Sequence, residues 1–137
     1  MTIWKHVFVV IALFASWGVF GDEDGTIYEI RNYHFDPTLS GEYRTWAREL
    51  ATPHLRAHFD VVGFWVNTDI PPEISGKPLG ELGSANVTWI IRWESKEQRD
   101  EQSDAVYSSP EWQEIFAKVP GDRASYLRIE AKFFQEP

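Results

Sequence analysis

The sequence contains no cysteine. That single absence removes disulfides, iron–sulfur clusters, thiolate metal sites and a cysteine nucleophile. It does not choose a compartment, because an exported chain can do without disulfides when its core suffices. Positive charge is also scarce: 13 Lys and Arg stand against 21 Asp and Glu, a formal charge of −8. No stretch concentrates the basic residues, so general nucleic-acid binding, which depends on clustered cations, is excluded. Attraction to anionic membrane surfaces is disfavoured on the same ground. No Walker loop, dinucleotide fingerprint or nucleophile elbow is present. Gly76, Gly80 and Gly83 fall in a loop without the strand-to-helix context those motifs need. There is no internal repeat and no low-complexity segment.

What the chain does have is aromatic bulk. Aromatic residues make up 15% of 137 residues, and seven of them are Trp. A chain of this length is one domain with a modest core. Side chains of this size fill such a core or line an interface or pocket.

Residues 1–21 read as a signal peptide. Lys5 and the amino terminus supply a positive start, and an uncharged apolar run follows from Val7 to Ala15. Val19 and Gly21 form an acceptable cleavage site before the acidic group Asp22-Glu23-Asp24. The apolar run to Phe20 is shorter than the ~20 residues a spanning helix needs. The expectation is therefore a secreted or periplasmic protein with no stable membrane span after cleavage, an uncleaved N-terminal anchor being the other reading. Residues 22–26 are a linker, and residues 27–135 are the domain.

Within the domain, Thr26–Phe35 is rich in β-branched and aromatic residues and reads as a strand, broken by Asp36-Pro37. Leu39, Tyr43, Trp46, Leu50 and Ala57 recur at helical spacing and predict a helix to about His58, with a kink or local break at Pro53. Residues 61–70 are a second strand. The stretch from Asp69 to Ser84, dense in Pro and Gly, is a loop, and residues 85–94 are a third strand. Ser95, with Gln98 three residues on, starts a second helix. That helix restarts at Ser109-Pro110, an N-cap followed by Pro at the first helical position. Trp112, Ile115, Phe116 and Val119 form its apolar stripe. Arg123–Phe134 is the last strand. The order is β-α-β-β-α-β, a ferredoxin-like α+β fold with an antiparallel sheet and both helices on one face. The face away from the helices carries large side chains and calls for a cover, which a second copy supplies.

Several residues are candidates for a site. Glu29, Arg31 and Tyr33 share one face of the first strand, since alternate residues point the same way. If that face lines a barrel interior, Arg31 binds a carboxylate or enolate oxygen and Tyr33 donates a hydrogen bond or proton. Otherwise Glu29 and Arg31 are structural ion-pair members. Trp65, Trp89 and Trp93 lie on strands, with Trp89 and Trp93 on one face beside Val87 and Ile91, and suit a flat or apolar ligand or plain core packing. His54 and His58, four apart on the first helix, can share a face, but two His alone do not make a metal centre and no spacing selects a third ligand. No metal and no cofactor are expected. The long loop is a candidate lid. Asn86-Val87-Thr88 matches a glycosylation acceptor at background level.

The phrase Ile27-Tyr28-Glu29-Ile30-Arg31-Asn32-Tyr33 resembles the first-strand motif Tyr-Glu-Leu-Arg-Thr-Tyr of the NIPSNAP family. Trp46, Pro53 followed by His58, Val62-Gly63-Phe64-Trp65, Trp93-Glu94-Ser95 leading to Arg99, and Ser109-Pro110-Glu111-Trp112 before Phe116 fit in order and spacing over residues 27 to about 134. Two departures stand out. Where the family's third strand carries a His and a Trp-Glu pair, this chain has Trp89 and Ile91-Arg92, and its central loop is longer. The resemblance implies a dimeric α+β barrel, hence a homodimer. It leaves three functional classes open: a pocket protein for a small apolar or aromatic ligand, a cofactor-independent monooxygenase or isomerase, and an interaction module with a filled barrel. No catalytic residue is assigned.

Overall fold

The computed structural model describes residues 25–137, so the expected signal peptide and cleavage site lie outside the described residues. Four strands, β1 (Ile27–Phe35), β2 (Asp60–Val66), β3 (Val87–Trp93) and β4 (Tyr126–Phe134), form one antiparallel sheet in the order β2-β3-β1-β4. This is the ferredoxin-like α+β arrangement, with each βαβ crossover split by an antiparallel strand. The helices α1 (Ser40–Trp46), α2 (Thr52–His58), α3 (Lys96–Tyr107) and α4 (Pro110–Phe116) cover one face.

The helical elements begin and end where local chemistry dictates. Ser95 caps α3 by accepting from the Gln98 N–H at 3.0 Å, while the Gln98 side chain takes the Glu94 N–H at 2.7 Å. Ser109 accepts from the Trp112 N–H at 3.2 Å, and Pro110 follows it at the start of α4. Pro53 widens the helix rather than breaking it. Between α1 and α2, Ala47–Ala51 is a π-helical turn in which the Thr52 N–H reaches back to the Ala47 carbonyl. A proline has no N–H to return to the turn before it, and the wider turn absorbs that loss. The turn into β4 needs Gly121, at φ 65°, where an added Cβ would sit 2.1 Å from the Ser125 hydroxyl.

β2 ends at Val66, four residues short of the expected Ile70. Val66 is its last residue to pair with β3, opposite Val87. Beyond it the Asn67 N–H takes the Asn86 carbonyl at 2.8 Å, and the Asn86 side chain turns to β1, accepting from the Phe35 N–H and donating to the Phe35 carbonyl. Asn86 thus acts as an extra peptide unit tying β3 to β1, and its amide is occupied there. The loop that follows β2 exposes Ile70, Ile74, Leu79 and Leu82.

The core lies between sheet and helices. Phe35, Val87, Trp89, Ile91 and Trp93 meet Tyr43, Trp46, Ala47, Ala51 and Leu55 from the helical layer, all below a tenth exposed. The Trp46 indole donates to the Ile115 carbonyl at 2.9 Å, tying α1 to the end of α4.

Candidate functional site

Strand alternation puts Glu29, Arg31, Tyr33 and Phe35 on one side of β1, and the contacts decide which side it is. Glu29 is bonded to Arg99 of α3, and the Arg31 guanidinium stands 5.8 Å from the Tyr107 ring of the same helix. The polar set therefore faces the helical layer, inside a single chain. The other face of β1, away from the helices, carries Tyr28, Ile30, Asn32 and His34.

Glu29 is fully buried and accepts four hydrogen bonds. Arg99 grips it with both nitrogens (Nη2 to Oε1 at 2.7 Å, Nε to Oε2 at 3.0 Å), Arg31 Nη1 donates at 3.0 Å, and the Trp93 indole donates at 3.0 Å. Burial alone would raise the carboxyl's pKa. The Arg99 bonds, the two guanidinium charges and Trp93 outweigh it and hold Glu29 below the usual carboxylate range. Tyr33 accepts from Arg31 Nε at 2.7 Å and from the Trp89 indole at 2.8 Å. The Arg31 guanidinium is boxed by the rings of Tyr33, Trp89 and Tyr107 at 5.4–5.8 Å. Burial disfavours the Arg31 charge, yet Tyr33, Tyr107 and Glu29 leave it more firmly protonated than usual.

Beside this network lies a cavity of about 300 Å³ between the sheet and the helices. Arg31, Tyr33 and Trp89 line it from the sheet, and Tyr107, Trp112 and Phe116 from the helices. Its size falls at the lower end of pockets that hold small organic ligands. The Tyr43 and Tyr126 hydroxyls, also in its wall, hydrogen-bond each other.

Of the candidate ligand-binding residues, Arg31, Tyr33 and Trp89 reach the cavity, and Trp65, Trp93, His54 and His58 do not. Trp93 lies behind it, bonded to Glu29. Trp65 pairs with Thr88 on the opposite face, over half exposed, with its ring lying over Gly63. β2 carries an irregularity between Val61 and Gly63, and Phe64 rather than Trp65 meets Trp89. His54 stacks on Trp112 with ring centroids 5.9 Å apart, and His58 bonds the His54 carbonyl; neither lines the cavity. Among the described residues no group of three His, Asp or Glu side chains is placed to hold a metal. No residue of the 67–86 loop lines the cavity, so its expected role as a lid is not seen. Sequence reasoning missed Arg99 and Tyr107. Arg99 closed one of the family-like phrases without a role assigned to it, and Arg99, Ser103, Val106 and Tyr107 recur at helical spacing along one side of α3.

A ferredoxin-like α+β domain with a ligand-sized cavity inside one chain defines the class. The model of the NIPSNAP family matches residues 28–123, and the chain belongs to that family. Among solved structures, it is similar to a NIPSNAP-like domain protein from Burkholderia xenovorans at 22% identity and TM-score 0.65, covering 83% of this chain and 87% of that one. It is also similar to a NIPSNAP family protein from Agrobacterium tumefaciens at 18% identity and TM-score 0.64, covering 82% and 86%. A proposed monooxygenase from Lactobacillus acidophilus shares the fold at 11% identity and TM-score 0.50, with 81% of this chain on 44% of that one. No curated protein matches the sequence.

Proposed function

We propose that this chain is an exported homodimer that binds a small apolar or aromatic molecule in the cavity of each copy. The carrying observation is the cavity of about 300 Å³ walled by aromatic rings around one buried guanidinium. A filled module would have packed that space with side chains, since protein interiors leave few voids of this size. Native mass spectrometry of the protein isolated from its source tests the reading. The expected result is a mass excess of one small molecule per chain, and bare chains in an intact dimer would overturn it. The same spectrum addresses the enzymatic alternative, which draws support from the two buried tyrosine hydroxyls beside Arg31: a ligand altered in mass after incubation in air marks turnover.

Export rests on the positive start, the apolar run and the Val19/Gly21 pattern. N-terminal sequencing of the native protein should begin at or near Asp22; an intact Met1 in a cytoplasmic fraction would overturn it.

A further inference from the structure

The charges behind the cavity do not balance. Arg31 and Arg99 share one carboxylate, Glu29, and Asp100, which touches Arg99 from the exposed side, is itself held by Lys96 at 2.6 Å. The capacity left unused beside Arg31 is for donating. Arg31 uses Nε on Tyr33 and Nη1 on Glu29, and its Nη2 makes no hydrogen bond among the described residues. Tyr33 already accepts two hydrogen bonds, so its own proton is left to donate. The Tyr107 hydroxyl is buried with no hydrogen-bond partner among the described residues.

We propose that the cavity takes an organic oxyanion (a phenolate, enolate or carboxylate on a flat apolar body) with its oxygen on Arg31 Nη2 and the hydroxyls of Tyr33 and Tyr107. The proposal rests on the pocket reading above and adds the ionisation state of the ligand. A neutral ether offers these donors only a weakly accepting oxygen and no charge to face the guanidinium, and a neutral phenol must aim its own proton at other donors. Unpaired buried donors and an uncompensated buried cation are both costly, so the anion is selected. Burial keeps Tyr33 and Tyr107 protonated well above neutral pH, so both are available as donors.

The test is absorbance titration of 4-nitrophenol, whose hydroxyl ionises near neutral pH, on the full-length protein, with 4-nitroanisole as a partner that cannot ionise and benzoate as a carboxylate. The bound phenol should ionise at least about one pH unit below the free one, since a facing cation favours the charged form. 4-Nitrophenolate or benzoate should bind at least about tenfold more tightly than 4-nitroanisole, and which of the two anions is tighter separates phenolate from carboxylate ligands. Tyr107→Phe removes a hydroxyl that has no hydrogen-bond partner among the described residues, so the fold keeps the bonds described above. It should weaken the anion about tenfold and 4-nitroanisole by much less, one charge-assisted hydrogen bond being worth that much. Arg31→Met should abolish the ionisation shift. Equal binding of 4-nitroanisole and both anions at every pH, with Tyr107→Phe silent, overturns the oxyanion proposal and leaves the pocket reading standing. Exclusion of all three probes overturns the pocket reading itself.

Discussion

Glu29→Gln is expected to lower the unfolding free energy by about 3–5 kcal/mol, the usual cost of removing one partner from a buried ion pair. Urea denaturation followed by tryptophan fluorescence measures it. Gln keeps the shape of Glu but turns an NH₂ toward Arg31 or Arg99, both of which only donate, and leaves two guanidinium groups facing each other at 15% and 20% side-chain exposure. A loss under about 1 kcal/mol would mean that solvent screens the cluster. The pH dependence follows from the same residue. Its folded pKa lies below the value of 4.5 it has in the unfolded chain, so its stabilisation is complete above that pH. It is lost as pH falls through the folded value, because the unfolded chain then binds the extra proton first. The stability gap between wild type and Glu29→Gln should therefore close on acidification below about pH 4.5 and stay constant from there to neutrality.

Ile30→Lys is expected to convert the proposed dimer to monomers. Ile30 pairs with Ile90 across the two central strands on the face away from the helices, and Tyr28, Trp65 and Phe134 share that face. Arg92, Lys132 and Glu130 also lie on that face, and the Ile30–Ile90 pair at its middle is what a second copy would cover. In a two-fold arrangement each protomer contributes the substitution, so two unpaired charges enter one interface. At about 3–5 kcal/mol for a buried unpaired charge, the dissociation constant should rise by at least about a thousandfold. Sedimentation velocity reads this directly, with Thr45→Lys on the exposed surface of α1 as a control that should stay dimeric. A dimer unmoved by Ile30→Lys, or wild type sedimenting as a monomer at high micromolar concentration, would place the contact elsewhere or remove it.

The elements were legible because their signals are local. Ser95 and Ser109 announce helix starts through a side-chain oxygen and the N–H three residues on, and both caps form. The β-α-β-β-α-β order follows from periodicity and breakers alone, and the sheet order of the fold follows from it. The end of β2 was not legible. The pattern runs on to Ile70, but a strand lasts only as long as it has a neighbour to bond, and the last pair is Val66 with Val87. Pro53 showed that a helix would be disturbed, and only the folded chain showed a π turn in place of a break.

The sequence by itself determined that Glu29, Arg31 and Tyr33 point the same way, as do Val87, Trp89, Ile91 and Trp93. Period-two alternation requires it whatever the surroundings. It did not determine which way. Alternation defines two faces without saying which one the helices cover, and that choice turned Arg31 and Tyr33 inward to a cavity within one chain. The displaced register between Val61 and Gly63 sent Trp65 to the other face and brought Phe64 to Trp89 in its place, because one extra residue in a strand inverts every side chain after it. The partners of the charged set were decided last of all. Arg99 stands 70 positions from Glu29 and binds it at 2.7 Å. No local spacing encodes that pairing, and it exists because α3 packs over β1 where a buried carboxylate has no water to turn to.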